Sequence, residues 1–106
     1  MPPADPRRGQ VWLADLDKRR PVVILTRDPL GRYLPSVIAA PVTSTVRGLS
    51  TEVPVGPEDG VPLPSVVNLD NIQLVAKETL VRRVGEVRGP TMSAICRAVS
   101  IAVGCR

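Results

Sequence analysis

Apolar residues along the chain recur with two different periods. In Gln10-Val11-Trp12-Leu13-Ala14, Val11 and Leu13 alternate against Gln10, Trp12 and Ala14, which predicts a half-buried strand over residues 9–15. Residues 21–26 and 36–42 are near-continuous apolar runs rich in Val, Ile and Ala, and they predict two more buried strands. Only Asp17-Lys18-Arg19 separates the first strand from the second, so the two must form a hairpin. Asp28-Pro29-Leu30-Gly31 is a turn, with proline presetting φ and glycine free to take positive φ. A polar loop over 43–48 leads to a strand at 50–55, the turn Gly56-Pro57-Glu58-Asp59-Gly60, an extended Pro62-Leu63-Pro64 and a strand at 65–69. One helical turn at Lys77-Glu78-Thr79-Leu80 precedes a last strand at 80–87. The period then changes: Met92, Ile95, Cys96, Val99, Ala102 and Val103 recur every three or four residues between Pro90 and Gly104, predicting a C-terminal helix with one face on the sheet.

At 106 residues the chain is expected to hold one domain, residues 8–106, behind a flexible Pro-rich leader over 1–7 with little to bury. Trp12 and Tyr33 are its only aromatics, so Val, Leu, Ile and Ala must build the core, and 12 prolines with 8 glycines favour short strands over long helices. The class is mainly β with one helix, an α+β arrangement. No apolar stretch nears the roughly 20 residues of a membrane span, and the N-terminus does not continue into a signal-peptide core, so a cytoplasmic location without membrane contact is expected. If Cys96 and Cys105 share a helix, they stand about 13 to 14 Å apart along its axis and must be free thiols. Without histidine or a CxxC spacing, no zinc site is expected, and no cofactor is implied.

The charge is one-sided. Residues 1–50 carry eight Lys or Arg against four acids and residues 51–106 six against six, so the net charge of +4 lies entirely in the first half. Such a surplus suits either a polyanion or a merely solvated surface. Any catalysis must proceed without imidazole, through arginine, hydroxyl or carboxylate groups. Arg20 at the mouth of the second strand is either a solvated flank or an anion ligand, since its fork of donors matches a phosphate and stays cationic. Thr43, at the far end of the third strand, is either a turn residue or a hydroxyl donor to the same anion.

Arg8-Gly9-Gln10-Val11-Trp12-Leu13-Ala14-Asp15-Leu16, Arg20-Pro21-Val22-Val23-Ile24-Leu25 with Asp28, Ala39-Ala40-Pro41-Val42-Thr43, Ser65-Val66-Val67-Asn68-Leu69-Asp70-Asn71-Ile72 and Gly85-Glu86-Val87 stand in an order that resembles the MazF/PemK family of toxin endoribonucleases, the mRNA interferases. The resemblance implies an SH3-like barrel or twisted antiparallel sheet with a C-terminal helix (CcdB/PemK-like), a homodimer, and metal-independent cleavage of single-stranded RNA. It further implies Arg20 as the main catalytic residue, Thr43 as its hydroxyl partner, and Ser65 and Asn71 as RNA contacts. Lys18, Arg19, Ser44, Thr45 and Arg47 extend this set by charge and proximity in sequence. A small, acidic, partly disordered antitoxin that covers the basic face is the implied partner.

The chain departs from the family pattern in its first loop, where members often carry a longer, Gly-containing segment covering the site. Asp17 either supplies the acidic group expected from that loop or is a solvated turn residue. Trp12 reads as core or dimer interface rather than as a base-stacking platform. Two other readings stay open: an SH3-like nucleic-acid-binding module without catalysis, and a CcdB-like gyrase inhibitor. The latter lacks its C-terminal tryptophan, because this chain ends Gly104-Cys105-Arg106.

Overall fold

The computed structural model describes residues 4–105. Its elements are β1 (Gln10–Asp15), β2 (Arg19–Ile24), a four-residue helix α1 (Leu30–Tyr33), β3 (Ser36–Thr43), β4 (Glu52–Val55), β5 (Ser65–Asn68), β6 (Gln73–Ala76), β7 (Leu80–Glu86) and α2 (Gly89–Ala102). Single 3-10 turns lie at Pro57–Asp59, Leu69–Asn71 and Lys77–Thr79. The strands form one antiparallel sheet in the order β4-β5-β3-β2-β1-β7, and β6 adds to β3. The expected class, a mainly β sheet closed by a C-terminal helix, is what forms, and Gly104 ends the helix region at φ +73°.

β3 is the organising strand because it changes partner along its length. Its first half pairs with β6, Ser36↔Ala76 to Ala39↔Gln73, and its end pairs with β5, Val42↔Val67 and Thr43↔Val66. The Leu69–Asn71 turn joins β5 to β6 and so passes β3 near Ala40 and Pro41. A proline has no N–H to offer, and it is tolerated where the ladder is interrupted.

The sheet buries both of its faces. Val11, Val23, Ala40, Val42, Val67 and Leu69 join Ile95 and Ala98 of α2 in one cluster, while Ala14, Val22, Ile24, Val37, Ala39, Val75 and Leu80 form another. Alternate side chains of a strand point to opposite faces, so a strand covered on both sides must be apolar throughout. That is why residues 22–24 form an unbroken run.

Several expectations need correction. β1 does not bury a single face: Ala14 is fully buried, Leu13 only partly, and Trp12 packs against the second cluster while its Nε1 donates to Gln10 Oε1 at 3.0 Å. The apolar pattern shows neither β6 nor α1, because Gln73-Leu74-Val75-Ala76 is short and half exposed, and because the 28–31 turn continues into a helical turn. Of the leader, residues 1–3 lie outside the described residues, but Pro6 is fully buried. Gly31 is not in the left-handed region; a Cβ there would stand 2.3 Å from the Pro6 carbonyl oxygen, so close approach rather than φ requires the glycine. Among the described residues, no helix is long and apolar enough to cross a membrane, and both cysteines are free.

The tightest backbone approach joins the 56–60 turn to β7. A Cβ on Gly85 would lie 1.9 Å from Asp59 O, and one on Gly60, at φ +88°, would lie 2.2 Å from Val84 O. Backbone cannot yield as a side chain can, so Gly85→Ala is expected to cost about 2 kcal/mol or more. Calorimetry of the variant should show a melting temperature lower by roughly 8 °C or more. A change within about 2 °C would show that the approach is not rigid.

Candidate active site

The register of β2 against β3 builds the site. Val22↔Pro41, Val23↔Ala40 and Ile24↔Ala39 are paired, and extending that register by two residues sets Arg20 opposite Thr43. Both then share the sheet face of Val22 and Pro41. Side chains directly opposite in an antiparallel pair have Cβ atoms about 4.5–5.5 Å apart. The separation of 23 residues between Arg20 and Thr43 is thus the length of one excursion out of β2 and back along β3.

Two adjoining depressions open on this pair. The larger, about 550 Å³, is lined by Leu16, Asp17, Arg20, Pro41 and the 70–73 segment, and the smaller, about 210 Å³, by Thr43, Thr45, Arg47, Glu52 and Asn68. Arg20, Pro41 and Asn71 border both. A guanidinium on the ridge between two polar depressions is placed to hold a phosphate while the groups on either side lie one in each.

Arg20 is held but not satisfied. Its side chain is 28% exposed, its Nη2 lies 3.9 Å from Asp17 Oδ1, and its Nε is buried with no hydrogen-bond partner among the described residues. An ion pair that long to a well-exposed aspartate contributes little. A buried donor without a partner costs on the order of 1–3 kcal/mol. Thr43 Oγ1 accepts the Thr45 N–H at 3.1 Å, which leaves the hydroxyl hydrogen free to donate toward the same anion.

The surrounding carboxylates are occupied to different degrees. Glu52 Oε1 accepts the N–H groups of Arg47 and Leu49, each at 3.1 Å. Asp70 Oδ2 accepts the Thr51 hydroxyl at 2.5 Å, and the Asp70 N–H donates to Asn68 Oδ1 at 3.0 Å. Asp17 Oδ1 accepts the Lys18 N–H at 2.9 Å, and its one other partner among the described residues is Arg20.

Of the residues proposed from the sequence, Arg20, Thr43, Asp17, Thr45, Arg47 and Asn71 come together here. Ser65 does not. It pairs with Val55, shares a sheet face with Val67 on the helix side, is 8% exposed, and its Oγ donates to Leu63 O at 2.9 Å. Lys18, Arg19 and Ser44 are exposed and line neither depression; Arg19, next to Arg20 on a strand, faces the other way and lies 3.8 Å from Asp15. The fold adds Pro41, Glu52, Asn68, Asp70, Ile72 and Gln73, which charge and proximity in sequence do not single out. The short β1–β2 loop leaves the cleft open, with Leu16 and Asp17 as its contribution to one wall.

Fold and site together define a small antiparallel-sheet protein whose open polar cleft is bordered by an arginine and a threonine. The chain belongs to the family described as the PemK-like, MazF-like toxins of type II toxin-antitoxin systems, whose profile matches residues 7–103. It is 43% identical over 103 residues to the probable endoribonuclease MazF5 of Mycobacterium tuberculosis, covering 94% of each chain. Among solved structures, M. tuberculosis toxin MazF-mt6 superposes with a TM-score of 0.88 at 41% identity, over 92% of this chain and 98% of that one. An endoribonuclease in complex with its cognate antitoxin, from a mycobacterial species, superposes with a TM-score of 0.87 at 37% identity, over 95% and 97%.

Titration with inorganic phosphate, followed by amide NMR, is expected to shift the signals of Thr43, Thr45 and Asn71. Arg20→Ala should abolish these shifts and Ser65→Ala should leave them intact. Equal loss in both variants would return Ser65 to the site.

Proposed function

We propose that this MazF-like toxin cuts single-stranded RNA without a metal ion, using the ribose 2′-OH as nucleophile and Arg20 and Thr43 to hold the reacting phosphate. The observation that carries the reading is Arg20 bordering both depressions, with Thr43, whose hydroxyl hydrogen is free to donate, on the wall of the smaller one. RNA brings its own nucleophile, so the protein's task is to align it and stabilise the charge that grows on phosphorus. The 2′ oxygen bonds to phosphorus and the bond to the 5′ oxygen breaks, leaving a 2′,3′-cyclic phosphate and a 5′-OH end. Arg20, cationic at any working pH, serves the charge rather than the proton. Asp17, a well-exposed carboxylate on the wall of the larger depression beside Arg20, takes the 2′ proton, and the leaving 5′ oxygen takes a proton from water. The two depressions receive the nucleotides flanking the cut.

The mainly positive first half of the chain supports an acidic, partly disordered antitoxin segment laid over this cleft, with Arg47 in its path. Leu25, Ile38, Ile72, Leu74, Met92 and Val99 line two neighbouring apolar depressions, which supports a homodimer through that face. Such a toxin acts in the cytoplasm, where RNA is made and translated.

Purified protein incubated with a long RNA in EDTA should cut it, and Arg20→Ala should lower kcat/KM by roughly 10²- to 10³-fold, as expected for removal of a main charge-stabilising donor. Tight RNA binding with no cleavage would instead favour a binding module. In titration calorimetry, Arg47→Glu should weaken the antitoxin complex at least about tenfold by placing like charges together. Unchanged affinity would remove Arg47 from that interface.

A further inference from the structure

Glu52 is a carboxylate in a depression that otherwise suits an anion. It borders the smaller depression with Arg20, Thr43, Thr45 and Arg47, where its negative charge opposes a phosphate. Its oxygens, however, are turned to the backbone: Oε1 accepts from Arg47 N and Leu49 N, and Oε2 lies 3.3 Å from Arg47 N. The Glu52 N–H returns a bond to Leu49 O at 3.0 Å, closing the loop on itself. Beyond the Thr45 N–H bond to Thr43, these are the hydrogen bonds described for the 44–50 segment, whose residues are all exposed. The Arg47 guanidinium takes part in none of the ion pairs of the described residues, so the carboxylate holds the Arg47 backbone and leaves its charge to the cleft.

We infer that Glu52 is a positioning residue that clamps the β3–β4 loop, so that Thr45 and Arg47 border the phosphate site. It acts through Arg47 and takes no proton. The inference rests on the RNA-cleaving reading of the cleft for its purpose, but the clamp is measurable without cleavage.

The experiment uses an uncleavable 2′-O-methyl RNA and fluorescence anisotropy. Glu52→Ala removes the acceptors and should weaken binding about tenfold, the scale of a lost hydrogen bond to a charged group. Glu52→Gln keeps an oxygen for the Arg47 and Leu49 N–H groups and should recover most of that loss. In an Arg47→Ala background, Glu52→Ala should have less than about a twofold further effect. Amide exchange at Arg47 and Leu49 should quicken in Glu52→Ala and stay slow in Glu52→Gln. With cleavable RNA, the Glu52→Ala defect should fall mainly on KM.

Unchanged affinity in Glu52→Ala would overturn the inference. So would an undiminished effect in the Arg47→Ala background. Loss of kcat in Glu52→Gln to the level of Glu52→Ala, with binding retained, would make the carboxylate a proton acceptor and overturn it equally. If the wild type cuts no RNA, the function proposed above fails, while the anisotropy and exchange results still decide the clamp. Should Glu52→Ala not fold, Glu52→Gln against Arg47→Ala decides the same question: binding close to wild type in the former supports the clamp, and equal losses overturn it.

Discussion

The site depends on the register between β2 and β3. Three pairs, from Ile24↔Ala39 to Val22↔Pro41, fix it, and every side chain in them is buried. Strand side chains alternate with a period of two, so a slip of one residue would exchange the two buried faces and turn Arg20 and Thr43 to opposite sides of the sheet. The two cores stabilise the correct register from both directions: Val23 and Ala40 must meet the helix side, Val22, Ile24 and Ala39 the other. Functional geometry is thereby set by apolar packing one and two residues away from the chemistry.

The same strand explains why there is a cleft at all. β3 exchanges β6 for β5 at about Ala40 and Pro41, and the turn joining those strands carries Asp70 and Asn71 into the gap. The Thr51 hydroxyl bond to Asp70 and the Leu69 N–H bond to Thr51 O tie that turn to the start of β4, while the Asp70 N–H bond to Asn68 closes it on the end of β5. Cleft walls therefore come from a turn and two loops, while its floor comes from the most buried strands. Such a division lets the walls vary without disturbing the Arg20 and Thr43 pair.

What could be read from the sequence follows from this division. Arg20 and Thr43 stand at the ends of apolar runs whose strand character is plain, and the hairpin length ties Asp17 to the same end. Ser65 departs from expectation because a motif fixes a residue's place in the chain but not the sheet face it takes; parity with Val67 sends it to the helix side. Arg19 is grouped with Arg20 by adjacency, and adjacency on a strand means opposite faces, while Lys18 stands in the exposed loop before β2 begins. Glu52 and Asp70 carry no local signal, since their roles arise only when β4 and the 69–71 turn are brought beside β3. Likewise β6 is four residues long and exposes Leu74, so its strand state reflects pairing with β3 rather than its own pattern.

The central claim is that Arg20 and Thr43 act as one unit on one phosphate because the register turns them to the same sheet face, on one depression. A double-mutant cycle on kcat/KM for RNA cleavage, with Arg20→Ala, Thr43→Val and the pair, tests it most directly. Strong non-additivity is expected, the double variant being little worse than Arg20→Ala alone. Strictly additive losses would mean that the two residues serve separate steps or separate groups, and would contradict the claim.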